Sequence, residues 1–83
     1  MGLGNSLYAA GDLRGAERAF RAATIAHPIA GAAFNNLAQV LLEEGRPREA
    51  LPYAMKAVEI GGPLKPLFLQ TLEQITSGAL HGH

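Results

Sequence analysis

"GDLRGAERAFRAATIAHP", residues 11–28, carries a helix with both of its ends written out. Gly11 can take the left-handed conformation that closes a preceding helix. Asp12 then suits an N-cap, because its carboxylate can accept from the N–H groups that a first turn leaves unpaired. Ala16, Ala19, Phe20 and Ala23 recur at i, i+3, i+4 and i+7, one stripe along a helix. His27-Pro28 ends it, since the residue before proline is pushed out of helical geometry. The spacing predicts a helix over 13–26.

Sliding the chain by 34 positions extends this unit in both directions. Leu3 then meets Leu37, Leu7 meets Leu41, Gly11 meets Gly45 and Arg14 meets Arg48. Ala16 meets Ala50, Ala23 meets Ala57 and Phe34 meets Phe68. The matches fall on apolar and turn positions, where a helix pair is most constrained. They predict a short helix over 2–10 before the opening stretch, and three after it, over 30–44, 47–60 and 65–77. Gly45 ends the third, Pro47 suits the first turn of the fourth, and Gly61-Gly62-Pro63 is a firm stop. Pro52 falls inside the fourth helix, where it removes a backbone bond to Arg48 and predicts a kink or a tightened first turn. Phe34, Leu37, Ala38 and Leu41 form one apolar stripe, and Ala50, Ala54 and Ala57 another. Such alanine stripes let backbones approach closely, so the expected fold is all-α, about five helices stacked as antiparallel hairpins. Residues 1–77 form the expected domain, with 78–83 a flexible tail.

Composition narrows the function. The 83 residues hold seven basic and seven acidic side chains, with no cysteine. No cluster of positive charge is present, so nucleic acid is not expected as the partner. Disulfides, zinc–thiolate sites and thiol catalysis are excluded. No apolar run approaches the length of a membrane span, no secretory signal pattern opens the chain, and a cytoplasmic location is the default. "MGLGNS" fits the myristoylation pattern, yet Leu3 and Gly4 already have repeat positions, so no lipid is expected.

The periodic residues resemble a tetratricopeptide repeat, a 34-residue helix–turn–helix with a W-x2-L-G-x2-Y, Ala-x3-Phe, Pro pattern. In 31–64, the second repeat, Phe34 stands at the tryptophan place, followed by Leu37, Ala38, Leu41, Gly45 and Ala50. In 1–30, a first repeat without its opening residues, Leu3, Gly4, Leu7, Gly11, Ala16, Phe20, Ala23 and Pro28 match. Ala54 departs from the Phe place, and Pro63 falls one step late. Residues 65–77 are then a capping helix or the start of a third repeat. Such arrays need about three repeats for stability, so a fragment of a longer protein is the expectation.

The resemblance implies a protein- or peptide-binding scaffold in which the first helix of each repeat lines an inner groove. The face of those helices turned away from the apolar stripe holds Asn35, Asn36, Gln39, Leu42 and Glu43. The first helix adds Asn5, Tyr8 and Ala9, and the fifth adds Leu69, Gln70 and Glu73. Primary amides offer both donor and acceptor and so match a peptide backbone. Family members that clamp a C-terminal carboxylate pair two asparagines with basic residues. Asn5 and Asn36 fall on the asparagine places, but the basic places hold Met1, Pro66 and Gln70.

Catalysis is not expected. Glu43 and Glu44 diverge by about 100° on a helix and read as a solvated face. Ser6, Asp12 and His27 lack a nucleophile elbow between them. His81 and His83 supply only two metal ligands, so neither metal nor cofactor is expected. "NNLAQVL", "GGP" and "TLEQI" look somewhat like repeat tails on papain-like C39 cysteine peptidases, which would make the segment an accessory module of a bacterial enzyme. A homo-oligomer through unfinished repeat ends is the third expectation.

Overall fold

The computed structural model describes residues 12–80. Four α-helices follow one another: α1 (Leu13–Ala26), α2 (Gly31–Glu43), α3 (Pro47–Ile60) and α4 (Lys65–Leu80). The helix expected over 2–10 lies outside the described residues, so four of the five expected helices are seen. No strand occurs among the described residues.

The helix ends follow from local chemistry. Asp12 caps α1, its Oδ1 accepting from the Gly15 N–H at 2.9 Å. α2 closes on Gly45, which sits at φ +76°. There the Arg46 N–H donates to the Leu41 carbonyl at 2.9 Å and the Gly45 N–H to the Leu42 carbonyl at 3.0 Å. This pair of bonds is the Schellman closure, and it needs a residue without a Cβ penalty at its left-handed position. α2 is one residue shorter at each end than its sequence suggests, because Ala30 has no side chain to cap with and the Schellman turn absorbs Glu44. Pro47 opens α3, and the helix passes through Pro52 unbroken. α4 continues to Leu80, three residues beyond the expected end at 77.

Two layers result. α2 packs against α1, α3 and α4, and α3 packs against α2 and α4. Ala16, Phe20, Leu37, Ala38, Val40, Leu41, Ala50, Ala54 and Ile75 form one buried cluster. Ala50, Ala54 and Ala57 are fully buried, as their stripe predicts. At Gly31 the approach of α4 is closer still: a Cβ there would stand 2.6 Å from Phe68 Cε2. Ala19 and Ala23 are only half-buried, and so is Phe34. Phe34 stacks on Tyr53 with ring centroids 6.5 Å apart, which leaves one of its sides to solvent.

Candidate binding face

α2 and α4 are in contact, and the polar groups expected of a groove fall at helix positions near 100–200° around from each apolar stripe. Asn36 is half-buried there, and Glu43 and Gln70 are exposed. Gln70, Glu73, Gln74 and Ser77 line a shallow depression of about 320 Å³ on α4. Gln39 is half-buried and spans the two helices, its Nε2 donating to Thr71 Oγ1 at 3.3 Å. Thr71 in turn donates to the Leu67 carbonyl at 3.3 Å.

Two expected site residues prove to be structural. Asn35 is 2% exposed, and its Oδ1 has no hydrogen-bond partner. At that exposure it offers almost no surface to a peptide. Leu42 is half-buried and packs on the central cluster, leaving little of it for a ligand. Asn5 and Tyr8 lie outside the described residues. The face that remains is Asn36, Gln39, Glu43 and Gln70, joined by Glu73, Gln74 and Ser77.

Asp12 and His27 stand at opposite ends of α1, separated by about 20 Å at the helical rise. They share no site. Among the described residues no group of three His, Asp or Glu side chains could hold a metal ion, and His81 and His83 lie outside them. No helix among those residues is long and apolar enough to cross a membrane.

A second polar cluster, between α1 and the α2–α3 turn, escaped the sequence reading. Arg14, Glu17, Arg18, Glu44 and Arg46 surround a depression of about 610 Å³. Glu17 accepts from Arg21 Nη2 and from Arg46 Nη1, each at 2.8 Å. Arg46 also binds Glu49 and reaches Glu44 at 3.5 Å. Arg21 Nη1 donates to Tyr53 Oη at 2.8 Å, and its guanidinium lies 5.6 Å from that ring's centre. Glu43 is exposed as expected, but the Glu44 side chain is only 12% exposed and is no part of a solvated face. The i, i+4 spacing of Glu17 and Arg21 was a visible signal. The link from Glu17 to Arg46 spans 29 residues and left none.

The two carboxyls of this cluster titrate in opposite senses. The Arg21 hydrogen bond, helped by Glu44 and Arg46, holds Glu17 below the ordinary value of 4.5. Burial, reinforced by the hydrogen bond to Glu17, pushes Glu44 above it. Folding therefore favours ionised Glu17, whose contribution is complete above the ordinary carboxylate range and disappears as pH falls through its lowered pKa. Folding favours protonated Glu44, whose contribution is complete in acid and is lost as pH rises through its raised pKa. Glu17→Gln is expected to cost on the order of 1 kcal/mol or less at neutral pH, since both arginines remain partly in water. That difference should shrink in acid, as pH falls through the lowered pKa of Glu17. Glu44→Gln should match the parent in acid and equal or exceed it at neutral pH. Urea titrations of the three proteins at both pH values give the comparison.

Residues 1–66 match the sequence model of the family described as tetratricopeptide repeat. No curated protein and no solved structure matches the chain.

Proposed function

The chain belongs to the tetratricopeptide repeat family, and from that premise we propose that it is a non-catalytic scaffold holding an extended peptide against the inner face of α2 and α4. The observation that carries this reading is the run of amides and carboxylates on that face. Asn36, Gln39, Gln70 and Gln74 offer donors and acceptors at helical intervals, and Gln39 bridges the two helices through Thr71. Amides of this kind satisfy backbone N–H and C=O groups whatever the ligand's side chains. Glu43 and Glu73 add acidic flanks, which favour a peptide carrying Lys or Arg. With Met1, Pro66 and Gln70 at the clamp's basic places, those places offer a free C-terminal carboxylate no cation, so an internal peptide segment is the preferred ligand.

Selection from a displayed library of unstructured peptides tests this directly. The enriched peptides should be basic and free of any requirement for their C-terminus. Asn36→Ala should weaken them about three- to tenfold, the value of one hydrogen bond. Selected peptides whose affinity is indifferent to Asn36, Gln70 and Glu73 would sink the reading.

A further inference from the structure

Lys65, Leu69, Glu73 and Thr76 lie along one flank of α4, at i, i+4, i+8 and i+11, and all four are exposed. Leu69, at 45% exposure, is the apolar centre of that flank. The repeat register says what such a flank is for. Thirty-four residues earlier the same positions on α2 are Gly31, Asn35, Gln39 and Leu42, and that is the flank α4 covers. Gly31 faces Phe68, Gln39 bonds Thr71, and Asn35 is 2% exposed. The flank that takes a helix inside the array is therefore repeated on α4 with nothing over it among the described residues.

We propose that a second copy of this chain covers it, α4 against α4, antiparallel about a two-fold axis at Leu69. Charge selects both the occupant and the direction. Lys65 and Glu73 stand four residues to either side of Leu69, about 6 Å along the helix in each direction. Neither has an ion-pair partner among the described residues. Antiparallel packing sets Lys65 opposite the partner's Glu73 and Glu73 opposite the partner's Lys65, with Leu69 on the partner's Leu69 between them. A parallel pair would set lysine on lysine and glutamate on glutamate, which repels. An isologous contact of this kind closes at two subunits and does not propagate. The contact goes beyond the peptide-binding reading and shares Glu73 with it.

One helix flank is a small interface, below the roughly 1,600 Å² of stable complexes, so the dimer is weak. Sedimentation equilibrium of the 83-residue chain should show monomer and dimer with a dissociation constant on the order of 10–100 µM. Leu69→Asp should leave a monomer at every concentration while helical circular dichroism is unchanged. Lys65→Glu or Glu73→Lys alone should raise the dissociation constant about tenfold, because each breaks two pairs and creates two like-charge contacts. The double variant Lys65→Glu/Glu73→Lys should return to within about threefold of the parent, since both swapped pairs attract again. A parent that stays monomeric overturns the proposal. So does a dimer indifferent to Leu69→Asp, a double swap that fails to restore association, or growth beyond the dimer.

Discussion

Leu37→Ala is expected to remove about 3–4 kcal/mol of folding free energy. Leu37 is fully buried at the centre of α2 and belongs to the cluster shared by all four helices. Truncation removes the transfer energy of its methyl groups and leaves a cavity that the surrounding helices can close only in part. Ala16, Ala38, Ala50 and Ala54 belong to the same cluster. Alanines have no side-chain length with which to reach into a void, which keeps the cost at the upper part of the usual range. A domain of this length has roughly 4–12 kcal/mol of stability in total, so the loss is between about a quarter and the whole of it. Urea titration followed by circular dichroism measures it, and a loss below about 1 kcal/mol would place Leu37 outside the core.

Gly31→Ala is the second. On helix propensity alone it should stabilise by up to about 1 kcal/mol, since glycine is the poorest helix former after proline. The contact reverses that sign. The new Cβ would fall 2.6 Å from Phe68 Cε2 and 3.1 Å from its Cζ. Phe68 is 2% exposed and cannot turn away without disturbing the α3–α4 packing. Overpacking of this kind costs about 1–3 kcal/mol, so a net loss of about 1–2 kcal/mol is expected. Phe68→Leu should cost a similar amount by itself, because it opens the space that the ring fills. In the double variant the added methyl occupies part of that space, so the two losses should sum to less than their separate values. Denaturant midpoints of the four proteins in the cycle decide the matter. Strict additivity would mean that the two residues do not touch.

The boundaries of these helices were legible because their stops are chemical. Asp12, His27-Pro28, Gly45, Pro47 and Gly61-Gly62-Pro63 each terminate or start a helix by backbone geometry alone, and α1 and α3 have the limits those residues imply. The family followed from the same periodic positions. The site was legible only in part, and Asn35 shows why. Its angle around α2 is fixed by its place in the sequence, and that angle lies off the apolar stripe. Whether an off-stripe position meets water depends on which helix lies beside it, and α4 is some thirty residues away. An amide is unfavourable there: a buried acceptor without a donor costs about 1–3 kcal/mol, a penalty that pattern reading counts against burial. Glu44 was misjudged for the same reason, since its partners come from α1 and from the turn beyond it. Contacts within one turn of helix are visible in a sequence, whereas contacts between layers are not.

The central position of α2 sets how freely the rest of the chain can vary. The buried side of this helix is answered by three neighbours, α1, α3 and α4. Seven of its thirteen residues are buried, among them Gly31 and Asn35. A replacement in α2 is therefore read by several helices at once, and accommodating it means adjusting more than one interface. Among the described residues α4 meets α2 and α3 on the side of Phe68, Thr71 and Ile75, so substitutions at Gln70 or Gln74 carry almost no packing cost. Packing leaves substitution open on that exposed face and nearly closed on α2. New ligand preferences can thus be acquired along α4 while the helix that holds the array together stays fixed.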